Sequence, residues 1–273
     1  MSDGVANNVV MPVPPALIQI LCRLEAVLSN FVTERRLAAE TLGRYESEVE
    51  SLNLTALGIR HIEGFLRISA QDLILFPAAA CVARSALEVN LKAAWLVSPS
   101  DHFAREARWL AHLQGEERTL ERLVKELSSL GVDGSALTTI RDQIRMFREE
   151  VQARMPAAAP SLSRTLNVKE MCEEIGGGSA YKDYIFLSQY VHGEHHSTRH
   201  FRGGGLGTKK ELGEDYSLVD WALLCKAVFY SLAYFGRKFL GSVGGNPDAV
   251  LTPEECEDLD KEIDALANRA ASA

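Results

Sequence analysis

Four of the chain's seven histidines, His192, His195, His196 and His200, fall in one short run. Imidazole is the side chain best suited to metal ligation, proton transfer or phosphate contact near neutral pH. Their i, i+3, i+4 and i+8 spacing would gather three rings on one side of a continuous helix, the beginning of a metal site. Gly193 tends to end such a helix, and no H-E-x-x-H or E-x-x-H signature is present. Exposed histidines at a helix terminus, favoured by the helix dipole, are therefore the competing expectation. Apart from that metal, no cofactor is expected. From His195 to Lys210 the chain also lacks any acid, and Arg199, His200, Arg202, Lys209 and Lys210 form a basic island on a protein of net charge -8. Such an island can contact RNA phosphates. The glycines from Gly203 onward lack the Gly-Lys-Ser/Thr order of a phosphate loop.

A second constellation is written into two apolar segments. Residues 78–97 are apolar around nearly the whole helical circumference, which makes this helix central, and Arg84 and Glu88 interrupt it on one face. Burying either ion alone costs several kcal/mol, so each needs a partner. The later segment from Ser179 carries Tyr184, Ser188 and His192 at i, i+4 and i+8, flanked by Ile185, Phe186, Leu187 and Val191. Interior helices with polar stripes turn those stripes toward one another. The sequence thus predicts a cluster of Arg84, Glu88, Ser188 and His192, in which the ion pair shifts the proton affinity of the imidazole. An exposed Arg84–Glu88 pair is the alternative. No G-x-S-x-G turn surrounds Ser188 to make it a nucleophile.

The elements that must position these groups are all helical. Residues 1–15, with Pro12, Pro14 and Pro15, read as a loose arm, and residues 16–273 as one helical bundle. Leu17, Ile20, Leu21, Leu24, Val27, Leu28 and Phe31 recur at helical spacing. Further helices are expected over about Thr55–Ala70 and Phe76–Val97, from a cap at Ser100 or Asp101 to Ser129, and over Ser135–Arg154. Others follow over Ser179–His192, Leu218–Leu240 and 252–270. Ser179, Ser217 with Asp220, and Thr252-Pro253-Glu254-Glu255 read as N-terminal caps. No stretch alternates at period two, so the fold class is all-α, a single bundle of about seven or eight helices.

The strings Arg84-Ser-Ala-Leu-Glu88, Ala94-Trp95-Leu96, Arg105, Arg108-Trp109 and Tyr184-x-x-x-Ser188-x-x-x-His192-Gly193 resemble a widespread group of uncharacterised bacterial helical proteins. That group pairs an R-x-x-x-E helix with a later Y-x-x-x-S-x-x-x-H helix, and the resemblance spans about Pro77 to Leu240, within the core region 76–240. In general style the group is similar to HEPN helical domains, some of which are metal-independent ribonucleases of toxin and antiphage systems. The catalytic signature of those domains, Arg followed by four to six residues and His, matches Arg105 to His112 here.

The resemblance implies RNA-directed activity in defence or stress response, and a partner protein encoded nearby. RNA cleavage needs a base for the 2′-hydroxyl and a cation for the developing charge, roles open to His112 with Arg105 or His200 with Arg199. The alternative is a noncatalytic helical interaction or sensor module, dimeric in one form, whose polar centre only fixes helix register. Five well-separated cysteines without C-x-x-C suit free thiols in the cytoplasm. An N-terminus without Lys or Arg before Pro15 lacks the start of a signal peptide. Neither Leu73–Ala83, which contains Pro77, nor the run after Trp221, which contains Lys226, is expected to span a membrane.

Overall fold

The computed structural model describes residues 11–157, 159–160, 164–194, 198 and 217–271, with side chains as far as Asn268. Its helices are α1 (Pro15–Ala39), α2 (Glu46–Ser69), α3 (Phe76–Val97), α4 (His102–Ser129) and α5 (Ser135–Arg154). After a linker come α6 (Val168–Ile175), α7 (Gly178–His192), α8 (Leu218–Ser242) and α9 (Pro253–Ala271). No strand occurs among the described residues, so the all-α expectation holds.

α3 occupies the centre, packed against α2, α4, α6, α7 and α8. Phe76, Leu87, Leu91 and Trp95 are almost wholly shielded, as a helix apolar on every side requires. Facing it are Ile62 and Phe65 of α2 and Trp221, Leu224 and Phe235 of α8, with Leu17, Leu24 and Phe31 of α1 packed behind, against α2 and α8. α1 opens with Pro15 in its first turn, where the missing N–H is no loss. Asp101 caps α4 by accepting from the Phe103 and Ala104 amides, Ser217 caps α8, and Thr252 with Glu255 closes a reciprocal capping box on α9. Ser179 does not cap α7, which starts one residue earlier after Gly177 with no side-chain cap.

α2 starts well before the Thr55 expected from the sequence. Its first turn is interior at Ser47 and Glu48: Glu106 accepts from the Ser47 amide at 2.9 Å and from its hydroxyl at 2.6 Å. Glu48 is also buried, 3.5 Å from Arg105 Nη1.

Farther along, α2 crosses α3 so closely that a Cβ on Gly58 would lie 2.1 Å from Asn90 Oδ1. Asn90 is buried and donates to Ser231 Oγ at 2.7 Å, while that hydroxyl spends its one proton on the Ala86 carbonyl at 3.0 Å. Ser231 lies in a π-helical turn, Tyr230–Gly236, inside α8, the kind of irregularity that re-aims side chains. Tyr234 of the same turn donates to the Ile175 carbonyl at 2.8 Å, fixing the α6–α7 corner.

Three helical segments, Pro15–Ala39, Leu73–Val97 and Leu218–Ser242, are long and apolar enough to cross a membrane by length and composition. This corrects the expectation that no segment qualifies. Pro77 sits in the first turn of α3 rather than ending the run. Lys226 leaves α8 unbroken because it reaches Asp260 at 3.2 Å and Asp264 at 2.6 Å on α9.

Gly58→Ala is expected to lower stability by about 1–3 kcal/mol, the usual cost of overpacking, because the methyl must displace Asn90 from Ser231. The double variant Gly58→Ala/Asn90→Ala should lose less than the sum of the two single changes, since the colliding amide is gone. Urea unfolding midpoints of all four proteins measure this, and strict additivity would refute the contact.

Candidate functional site

The polar stripe of α3 forms a ladder. Arg84 Nη2 lies 3.6 Å from Glu88 Oε2, and Lys92 Nζ lies 3.0 Å from Glu88 Oε1, so one carboxylate links two cations across successive turns. Across from it, α7 supplies Tyr184 and Ser188. Arg84 donates from Nη2 to the Tyr184 hydroxyl at 2.8 Å and from Nε to Ser188 Oγ at 3.1 Å. Its guanidinium carbon stands 4.8 Å from the Tyr184 ring centroid. Ser188 passes its own proton to the Tyr184 carbonyl at 2.7 Å. The Arg84 and Glu88 side chains retain 17% and 25% exposure, so the ladder is half-buried, enclosed enough for its charges to matter and open enough to meet a ligand.

His192 is not part of this cluster. It is exposed at the last residue of α7, where Gly193 takes the left-handed conformation at φ 64° and ends the helix. A helical stripe at i, i+4 and i+8 drifts by about 40° per step, so the third member lies roughly 80° around from the first. Arg84 can face Tyr184 and Ser188 together but has turned away from His192. His195, His196, Arg199, His200, Arg202, Lys209 and Lys210 lie outside the described residues. Among the described residues no three His, Cys, Asp or Glu side chains are grouped to hold a metal ion.

The ladder runs into a cleft of about 540 Å³ whose walls come from α3, α4, α6, α7 and the segment leading into α6. Glu88 and Lys92 form one side, His112, Glu116 and Thr119 of α4 another, Thr165, Asn167 and Lys169 a third, with Tyr181 and Tyr184 behind them. The two tyrosine rings stack with centroids 6.2 Å apart. His112 is held below its ordinary proton affinity, chiefly by burial, with Glu116 opposing and Lys92 reinforcing the shift. The ring also stacks on Trp109 at 5.4 Å. At neutral pH it is therefore an uncharged imidazole able to accept a proton. Nearby on α2, burial raises the Glu50 carboxyl, and Glu116 adds to the shift.

Arg105, the other half of the Arg…His signature, is elsewhere in the structure. Its Nε donates to the Pro99 carbonyl at 2.7 Å, Nη2 to the Ser242 carbonyl at 2.8 Å, and Nη1 faces Glu48. Buried and so occupied, it is a structural strut absent from the cleft lining. Arg108 behaves likewise. It donates to the Trp95 carbonyl, to Ser98 Oγ and to Glu174, whose second oxygen accepts from the Trp95 indole at 2.7 Å.

Sequence reasoning missed a second polar locus on the far side of α7. Asp183 Oδ2 is buried without a hydrogen-bond partner, and burial pushes its carboxyl up to about 6, against the pull of Lys226. Tyr230 and Asp260 complete the locus, and the nearby cleft along the π-helical turn includes both. The signal was hidden because Asp183 lies one residue from Tyr184 and reads as solvent-facing.

Compared with known proteins, residues 59–206 match a family of unknown function (DUF5677), a span that begins within α2, includes the ladder, the cleft and α7, and runs on to 206. No curated protein and no solved structure matches the chain.

Arg84→Lys removes the planar fork that reaches two hydroxyls at once and should cost about 1–3 kcal/mol, whereas His192→Ala, at an exposed helix end, should stay within about 0.5 kcal/mol. Equal losses in chemical denaturation would overturn this division. Asp183 titrates higher in the folded chain than in the unfolded one, so its contribution is fully present in acid and is lost as pH rises through about 6. Asp183→Asn should therefore raise the melting temperature at pH 7, with the advantage shrinking as the pH is lowered toward the ordinary aspartate range. A gain that is independent of pH would contradict the assignment.

Proposed function

Because the chain belongs to the DUF5677 family, whose function is unknown, membership carries no activity with it, and we propose from the geometry that the protein is a helical recognition module whose cleft takes a nucleotide-sized polar ligand. The observation that carries this reading is the half-buried Arg84–Glu88–Lys92 ladder leading into a cleft of about 540 Å³. That volume lies within the range of small-molecule sites. Lys92 and Lys169 supply cations for an anionic group, Asn167, Thr119 and Glu116 supply donors and acceptors, and the stacked tyrosines offer a flat face to a ring. All five cysteines are free, which accords with a reducing compartment and hence a cytoplasmic module.

A second reading, RNA-directed cleavage, is favoured by His112 alone: an uncharged imidazole in the cleft, close enough to Lys92 to feel its charge. In this version His112 is the base and Lys92 the cation, with Arg105 left to its structural duty.

Thermal shift and calorimetric titration with the four nucleoside monophosphates and a short mixed RNA oligonucleotide separate the readings. Binding should stabilise the protein, by about 2.7 kcal/mol at a hundredfold excess over Kd, and Lys92→Ala should abolish that gain. Binding without cleavage supports the recognition module. Cleavage lost in His112→Ala supports the second reading, and no stabilisation by any probe rejects the cleft as a nucleotide site.

A further inference from the structure

Beyond Leu113, α4 leaves the bundle and pairs with α5 as a helical hairpin. Every buried residue of α4 lies between Arg105 and Leu113, and α5 has none. The apolar seam of this arm is thus only half covered. Leu120, Val124 and Leu127 of α4 and Ile144, Phe147 and Val151 of α5 all keep partial exposure. Farther out, Leu123 is 47% exposed, Ile140 45% and Met146 66%. Helices of this length draw most of their stability from packing an apolar face, and a lone pair in water packs only one side of each.

We infer that the arm is a homodimerisation element, in which the α4–α5 hairpins of two copies close into an antiparallel four-helix bundle. Charge favours a second copy as the occupant. From Glu116 to Ser129, α4 has four acids and three bases, whereas α5 has three acids and four bases. A two-fold arrangement lays the α4 of one protomer on the α5 of its partner, so the slightly acidic helix meets the slightly basic one. The arm as a unit is close to neutral, while the whole chain carries -8, so contact through the arm brings two acidic bodies together where repulsion is least. Size is also adequate. A 20-residue helix is about 30 Å long and 10 Å wide, so a two-helix face offers about 600 Å² per partner, at the lower edge of what specific complexes bury.

Sedimentation velocity and light scattering of the purified full chain across the micromolar range test this directly. The wild type should be a dimer, and Leu123→Asp should weaken association more than about tenfold while leaving the helical circular dichroism unchanged. Ile140→Asp serves as an independent second variant. A wild type that stays monomeric throughout, a dimer that survives both variants, or a monomer that binds anionic vesicles through the arm would each overturn the inference.

Discussion

A helix enclosed on most sides must satisfy its buried polar atoms with whatever surrounds it, and that constraint on α3 organises the molecule. Ser51 of α2 donates to the Ala93 carbonyl, Ser231 of α8 to the Ala86 carbonyl, and Arg108 of α4 to the Trp95 carbonyl. In the other direction, Trp95 donates to Glu174 of α6 and Arg84 to Tyr184 and Ser188 of α7. Each neighbour is thus pinned in register by one or two directional contacts, while the apolar residues between them supply non-directional attraction. A core of alanine, leucine and valine alone would leave these helices free to slide; the polar pins make one arrangement better than its neighbours.

The same constraint explains why the arginines divide by role. Arg105 and Arg108 are enclosed, and their donors are consumed by backbone carbonyls and carboxylates, as desolvated guanidinium requires. Burial lowers the Arg108 proton affinity and Glu174 restores part of it. Arg84 is different because its partners are two hydroxyls and a carboxylate shared with Lys92. One carboxylate between two cations leaves net positive charge on the stripe, so α3 contributes charge to the cleft, unlike the arginine that the Arg…His spacing singled out.

The fold was legible because helical periodicity and caps are local. The apolar rhythm of α1 and the box at Thr252 depend on residues within a few positions of one another, and both stand as read. The pairing of Arg84 with Glu88 and with Ser188 was accessible too, since polar interruptions in two apolar helices constrain each other. His192 was misplaced by treating an i, i+8 relation as a straight line. Glu48, Glu106 and Asn90 were invisible for a different reason: their burial is decided by helices remote in the chain, α4 for Glu48, α2 for Glu106 and α8 for Asn90. A glutamate in a first turn looks identical whether water or an arginine waits beside it.

One wall of the cleft belongs to a small, separately docked piece. Residues 165–171 reach it from a linker, and α6 holds them there with eight residues, anchored by Met171, Cys172 and Ile175 and by the grip of Arg108 and Trp95 on Glu174. Whatever occupies the cleft must therefore share its free energy with the seating of that helix, and whatever unseats the helix erases the wall. In this architecture an indole and a guanidinium that never touch the occupant set how much of its affinity is realised.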